Sequence, residues 1–189
     1  MDLSWGDSTT RQFITNVGLI TSDGVYGPNV MSAEWTYLIA YKPATLAISI
    51  GKDTATFSNI KENKEFGVSL CSSEQSVMAS VSGAYTGKDV DKIAALGELG
   101  FTFYKAKNIG VPMVRLAAAN IECELSQQII FGENAVMIGG IVESSVSGKD
   151  PLAYHRGAYW TMNQRLERSS EEDRKKVREI VESHRKENN

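Results

Sequence analysis

The sequence has few of the residues that usually bind metals or form disulfides. It contains two cysteines and two histidines among 189 residues. Cys71 and Cys123 lie far apart in apolar runs, so we predict two buried free thiols rather than a disulfide or a metal-binding pair. His155 and His184 are too isolated along the chain to predict a metal site.

Long apolar runs, an excess of basic charge and the common nucleotide-binding motifs are also missing. No segment approaches the length of about 20 apolar residues that spans a bilayer, and the N-terminal stretch lacks the apolar centre of a secretory signal. We therefore expect a cytoplasmic protein. The net charge of −3 argues against nucleic-acid binding by bulk electrostatics. No G-x-G-x-x-G follows a predicted strand, and the spacing from Gly83 to Lys88 does not match a P-loop.

What the sequence does contain is typical of one globular domain with a substantial core. Hydrophobic residues make up 42 % of the chain and charged residues 23 %. Alternation and turn residues predict strands over residues 13–20, 30–40, 45–50, 66–71, 119–131 and 135–146. Helices are predicted over residues 54–64, 74–81, 90–97 and 170–187. Many strands and few, short helices predict a mainly β protein, an antiparallel barrel with peripheral helices and a charged C-terminal helix.

We expect residues 1–165 to form the domain, with the C-terminal helix at 166–189 as part of the same unit. Ser169 and Glu172 could form a capping box at the start of that helix.

Two predicted strands alternate between an apolar face and a small polar face. In the strand at 45–50, Leu46, Ile48 and Ile50 would face the core. In the strand at 30–40, the two predicted faces carry Met31, Ala33, Trp35 and Tyr37 on one side and Ser32, Glu34 and Thr36 on the other. The polar faces predict that a ligand or a partner covers them.

The junction after the strand at 45–50 is rich in hydroxyl groups and reads GKDTATFS over residues 51–58. The unpaired N–H groups and the dipole at a helix start favour anions, and Lys52, Thr54 and Thr56 could add a positive charge and two donors. The junction therefore predicts a phosphate site. The alternative is that Asp53 or Thr54 is only a helix N-cap.

Five segments, in order along residues 12–162, resemble the flavin reductase-like, FMN-binding split-barrel family. They read NVMSAEW at 29–35, LAISIGKDTATFSNIKENKEFGVSL at 46–70, SGAYTGKDVDKIAALG at 82–97, NIECEL at 120–125 with FGENAVMIGGIVE at 131–143, and PLAYHRGAYW at 151–160. The resemblance implies a homodimeric split barrel that binds FMN near the subunit interface. It also implies an NAD(P)H-dependent flavin oxidoreductase, or a flavoredoxin-like electron carrier, that passes electrons to free flavin, iron or a redox protein.

The resemblance also implies where the cofactor lies. The isoalloxazine would lie beside residues 29–32, and the phosphate would lie at the 49–56 junction. The cofactor-binding residues are then Asn29, Val30, Met31, Ser32, Ser49, Ile50, Gly51, Lys52, Thr54, Thr56, Ser82, Gly83 and Lys88.

One position departs from the family. Relatives often carry Gly-Asp-His in the long hairpin, where the histidine is associated with the nicotinamide side of the flavin; this chain has Gly132-Glu133-Asn134. Asn134 takes the position of that histidine and is therefore the candidate catalytic residue. It can form hydrogen bonds but cannot carry a charge, so the choice of NADH or NADPH stays open. Two alternatives remain: an FMN-binding electron carrier without nicotinamide activity, and a binding module without a cofactor.

Overall fold

The structure is a computed structural model that describes residues 2–163 and 170–183. The chain begins with a 3-10 turn at Thr10–Gln12 and continues through five strands. These are β1 (Thr15–Asn16), β2 (Gly18–Ser22), β3 (Asn29–Ala33), β4 (Thr36–Tyr41) and β5 (Ala44–Gly51). The middle of the chain contains α1 (Ala55–Asn63), β6 (Glu65–Leu70), α2 (Ser76–Ala84) and α3 (Lys92–Glu98). The last part contains β7 (Phe103–Lys105), β8 (Pro112–Val114), β9 (Ala119–Phe131), β10 (Asn134–Val146), β11 (Ala153–His155), β12 (Ala158–Trp160) and α4 (Glu171–Ser183).

Seven strands form one antiparallel sheet in the order β3-β2-β6-β9-β10-β5-β4. Two smaller sheets, β1-β11-β12 and β7-β8, lie outside it. The large sheet does not close on itself by strand pairing, so the fold is a split barrel. The predicted mainly β class and the antiparallel barrel are therefore confirmed.

The predicted strand at 30–40 is wrong, because the chain bends at Glu34 and Trp35 and changes partners. β3 pairs with β2, whereas β4 pairs with β5 at the opposite edge of the sheet. The backbone N–H of Ser49 donates to the Trp35 carbonyl at 2.9 Å and ties the bend to β5. The bend also ends the predicted alternation: Thr36 is buried, whereas Trp35 and Tyr37 are more than 40 % exposed.

The interior of the barrel is filled by the inward face of the long strands. The predicted alternation of β5 is confirmed, because Leu46, Ile48 and Ile50 are each at most 2 % exposed. Phe66 packs in the same cluster, with its Cζ 2.6 Å from the place that a Cβ would occupy at Gly139. Only glycine therefore fits at this point of β10.

A second apolar cluster fills the space between the outer face of the sheet and the helices α2 and α3. Val30 of β3, Met78 of α2 and Leu96 of α3 are fully buried there. α2 is therefore held against the outer face of β3.

The two cysteines are buried free thiols, as predicted, and burial raises the pKa of each to about 12.

α4 begins with a cap, although not the one predicted. Ser170 Oγ accepts from the Asp173 N–H at 3.0 Å and donates to the Asp173 carboxylate at 2.6 Å. The predicted capping residue Ser169, like His184, lies outside the described residues. Among the described residues, no helix is both long enough and apolar enough to cross a membrane.

Candidate functional site

A cavity of about 340 Å³ lies where α2 covers the outer face of β3. Ser32 and Gly83, two of the predicted cofactor-binding residues, both line it. A Cβ at Gly83 would lie 3.4 Å from the Cβ of Ser32, so helix and strand approach closely at this point. The Ser32 hydroxyl has no hydrogen-bond partner among the described residues. The structure therefore brings together two residues that are about fifty positions apart and leaves a free hydroxyl on the wall.

Further walls of this cavity come from residues that the sequence did not identify, namely Trp5, Asn16, Tyr154 and Tyr159. Glu34, which the predicted alternation placed on the same polar face as Ser32, also lines it. The rings of Tyr154 and Tyr159 lie 5.6 Å apart in a tilted arrangement. Burial raises the pKa of Glu34, and burial together with the nearby Glu34 carboxylate raises the pKa of Tyr154. The cavity thus has three aromatic side chains on its wall and one partly desolvated carboxyl group.

The hydroxyl groups at the start of α1 have local partners. Thr54 is the N-cap: its Oγ1 accepts from the Phe57 N–H at 3.1 Å and donates to the Gly51 carbonyl at 2.8 Å. Thr56 is 1 % exposed, and its Oγ1 accepts from the side-chain amide of Asn29 at 2.9 Å. The alternative that Thr54 caps the helix is therefore confirmed, and its hydroxyl proton is already used.

Anion-binding groups nevertheless remain at this junction. The N–H groups of Ala55 and Thr56, in the first turn of α1, have no acceptor among the described residues. Lys52 is half-buried and forms no ion pair within residues 2–163 and 170–183, not even with the exposed Asp53 beside it. Lysine and the helix start, rather than the hydroxyls, are the groups that could hold a phosphate here.

Asn134 lies beside the same junction. It is the first residue of β10 and stands opposite Gly51 in the register, and the Lys52 N–H donates to the Glu133 carbonyl at 3.0 Å. The hairpin that leads to it turns at Gly132, whose φ of +55° favours glycine. The candidate catalytic residue and the predicted phosphate junction are therefore neighbours.

The loop after α2 approaches β3 from its other end. A Cβ at Gly87 would overlap the side-chain amide of Asn29, so glycine is needed for this contact. The Oδ1 of Asn29 is buried and has no partner among the described residues. Lys88 does not reach the cavity beside Ser32; its Nζ lies 5.6 Å from the ring centre of Tyr26. Asn29, Thr56 and Gly87 thus form one cluster, and Lys88 lies at its outer side.

Ser82 is held by a buried lysine. Lys92 is 2 % exposed, and its Nζ donates to the Ser82 carbonyl at 3.1 Å, at the C-terminal end of α2. Burial lowers the pKa of Lys92 to about 8. The Ser82 hydroxyl is also buried and has no partner among the described residues.

The remaining predicted residues are mostly internal. Val30 and Ile50 are buried, so only their backbone could contact a ligand, whereas Met31 is partly buried and packs on the barrel core. Ser49 and Gly51 are half-buried on the polar face of β5. The residues present fit a flavin nucleotide in two respects: a polar and aromatic cavity beside Ser32, and a cationic helix start at the junction. β3 contributes to both regions, because Ser32 lines the cavity and Asn29 donates a hydrogen bond to Thr56 at the start of α1.

Comparison with known proteins gives a consistent result. The family model described as "Flavin reductase like domain" matches residues 10–163. An uncharacterized protein of Archaeoglobus fulgidus is 30 % identical over 63 % of this chain and 66 % of its own length. A protein of Acinetobacter baylyi named FMN reductase (NADH) RutF is 25 % identical over 79 % of this chain and 78 % of its own length.

Among solved structures, the flavoredoxin of Desulfovibrio vulgaris (Miyazaki F) is similar, with a TM-score of 0.75 and 25 % identity. The match covers 90 % of this chain and 98 % of that chain. Two further curated reductases, from Acinetobacter baylyi and Rhizobium meliloti, are matched over 46 % and 45 % of their length, so this chain corresponds to about half of those proteins.

Proposed function

Because the chain belongs to the family of flavin reductase like domains, we propose that it is an FMN-binding oxidoreductase. It would accept electrons from NADH or NADPH and pass them to free flavin, iron or a redox protein. One observation carries the proposal: β3 carries both Ser32, which lines the cavity, and Asn29, whose side-chain amide donates to Thr56 in the first turn of α1. A ligand with a flat polar ring and a phosphate needs both environments.

In this proposal the protein binds and orients, and the flavin, when bound, supplies the redox chemistry of hydride acceptance and electron release. The Ser32 hydroxyl would bond to the polar edge of the ring. Lys52 and the N–H groups of the first turn of α1 would hold the phosphate. Thr54 would act indirectly, because as the N-cap it fixes that first turn.

Asn134 would orient the electron donor. It lies opposite Gly51, at the end of the junction that we assign to the phosphate. An asparagine amide can donate one hydrogen bond to a carboxamide or to the flavin edge, but it cannot supply a proton or a charge near neutral pH. We therefore expect it to affect flavin reduction more than flavin binding.

We also propose that the protein is a homodimer. β4 is an edge strand, and its apolar side chains remain exposed: Tyr37, Leu38, Ile39 and Tyr41 are between 43 % and 84 % accessible. The end of β9 adds Ile129, Ile130 and Phe131, which are 41 % to 62 % exposed. Exposed apolar patches are usual at protein interfaces, and a second copy would cover them.

The phosphate assignment is tested by comparing FMN with riboflavin, which lacks the phosphate. Lys52→Ala should weaken FMN binding by about tenfold, since about 1.4 kcal/mol corresponds to a factor of ten, and should leave riboflavin unchanged. The matched control is Lys61→Ala, on an exposed part of α1 away from its start. If Lys52→Ala weakens both flavins equally, the phosphate does not lie at this junction.

The activity is tested by the visible spectrum of the FMN-loaded protein during anaerobic titration with NADH, NADPH and dithionite. Bleaching by a nicotinamide supports the reductase. Bleaching by dithionite alone would identify an electron carrier that depends on another donor. Failure to bind any flavin would overturn the proposal and leave a binding module.

A further inference from the structure

A second cavity, of about 440 Å³, opens beside the one that contains Ser32. The two cavities share three wall residues, Trp5, Glu34 and Tyr154. The second cavity is formed largely by the N-terminal segment and by the turn between β11 and β12. These parts are tied together, because the His155 ring nitrogen Nδ1 lies 3.2 Å from the Phe13 carbonyl oxygen.

Two arginines line this second cavity and have no carboxylate partner. Arg11 and Arg156 form no ion pair within the described residues. Arg156 donates from Nη2 to the Gln12 side-chain oxygen at 3.2 Å, which places its guanidinium beside the turn that carries Arg11. Arg156 and Gly157 both have a positive φ, as the two-residue hairpin turn between β11 and β12 requires, so Arg156 stands at the tip of that turn. Two unpaired guanidinium groups on one rim suit a phosphate.

Four aromatic side chains also line this cavity, and three of them are largely exposed to solvent. Trp5, Phe13 and Trp35 line the cavity while remaining 75 %, 65 % and 44 % exposed. Aromatic side chains that stay open in a concave site are suited to stacking on a heteroaromatic base, an interaction worth about 1–3 kcal/mol per base. The cavity is also within the range of about 300–1,000 Å³ that is usual for small-molecule sites.

The charged residues around the two cavities favour one orientation of a bound ligand. Glu34 lies where the two cavities meet, and the arginines belong only to the outer one. A phosphate would therefore be repelled from the shared wall and attracted to the rim. A ligand that spans both cavities would carry its phosphorylated part outside and its reacting ring inside, near Ser32.

We propose that this outer cavity binds the phosphorylated adenosine end of the nicotinamide donor, and that Arg11 and Arg156 make the protein prefer the 2′-phosphorylated form, NADPH. This inference rests on the proposed function for the identity of the donor. A 2′-phosphate is a monoester with a charge of about −1.5 to −2, as in phosphorylated side chains, and so pairs better with two guanidinium groups than a ribose hydroxyl does.

The test uses ligands that cannot transfer electrons. Two of the three tryptophans, Trp5 and Trp35, line the cavity, so stacking of a base should quench the intrinsic fluorescence. We expect 2′,5′-ADP to bind the flavin-free protein at least about tenfold more tightly than 5′-AMP, by about 1.4 kcal/mol. Arg11→Ala and Arg156→Ala should each reduce 2′,5′-ADP affinity by about tenfold and leave 5′-AMP nearly unchanged. Arg178→Ala, on the exposed α4, is the matched control.

The outcomes separate this inference from the proposed function. Equal binding of 2′,5′-ADP and 5′-AMP, or no effect of either arginine variant, would overturn the inference even if NADPH and NADH both reduce the flavin. FMN that quenches the same tryptophans and is weakened by the same variants would also overturn it, because the cavity would then belong to a flavin. Selective 2′,5′-ADP binding would support the cavity assignment even in a protein that fails to reduce FMN.

Discussion

Lys92 should make the stability of this protein depend on pH. The residue is 2 % exposed, and its Nζ donates to the Ser82 carbonyl at 3.1 Å, with no carboxylate paired to it among the described residues. Burial lowers its pKa from 10.5 to about 8 in the folded protein. The unfolded chain therefore binds more protons between these two values, and stability should rise as the pH increases from about 8 towards 10.5.

The magnitude follows from the two pKa values. Each unit of pKa difference corresponds to about 1.4 kcal/mol, so the charged lysine costs about 3 kcal/mol at pH 7 and about 1.4 kcal/mol at pH 9.5. Lys92→Met removes this cost at both pH values. It also leaves the Ser82 carbonyl, near the end of α2, without its donor, which costs about 1–3 kcal/mol. These effects oppose each other at one pH, but only the first changes with pH.

The measurement is the free energy of unfolding in urea, at pH 7.0 and 9.5, without added flavin. The original protein should gain about 2 kcal/mol relative to Lys92→Met over this range. Lys175→Met, which makes the same change on the exposed α4, should differ from the original protein by less than about 0.5 kcal/mol at either pH. A difference between the original protein and Lys92→Met that stays constant within about 0.5 kcal/mol would refute the reasoning.

Three further predictions follow from the packing and the proposals. In the same urea assay, Gly139→Ala should lower the free energy of unfolding by about 1–3 kcal/mol, because the new Cβ would lie 2.6 Å from Phe66. Gly140→Ala is the control and should be tolerated, because no atom lies within 4 Å of its new Cβ. Asn134→Ala should slow flavin reduction by about tenfold in anaerobic stopped-flow, because one hydrogen bond of about 1 kcal/mol is lost. Asn134→His should give the reduction rate a pH dependence near pH 6–7. If both variants reduce flavin at the rate of the original protein, Asn134 is only a turn residue. Light scattering should give the mass of a dimer, and a monomer with FMN bound would contradict an interface at Thr36–Tyr41.

Much of the barrel could be predicted from the sequence because its long strands carry their own signals. The bounds of β9 at Ala119–Phe131 were predicted correctly, since the run of strand-forming residues ends at the glycine turn. The bend at Glu34 and Trp35 could not be predicted from alternation, because the apolar residues continue through it. Its cause lies elsewhere in the chain, in the hydrogen bond from Ser49 and the burial of Thr36 against Gly18.

The candidate site was predictable only where a motif marks it. The segments around Ser32, Gly83 and Asn134 were found because they occur in a recognisable order along the chain. Trp5 was missed because it belongs to no periodic pattern. The alternation placed Glu34 on the same face as Ser32, but it could not show that Glu34 meets Trp5 when the N-terminal segment packs beside β3. The hydroxyls of the junction were detected correctly as a cluster, but the sequence could not show that Thr54 and Thr56 use them for internal hydrogen bonds.

The bend between β3 and β4 also constrains how the chain can fold. It links the two edge strands of the sheet through two residues, so these two strands are neighbours in sequence but lie farthest apart in the order of the sheet. The register between those edges is set instead by pairs such as Ile50 with Ala135, about 85 positions apart. Contacts of such long range slow folding, because the entropy of closing the intervening loop is lost before the contacts stabilise it. We therefore expect the hairpin of β9 and β10 to form early and its docking onto β5 to limit the rate.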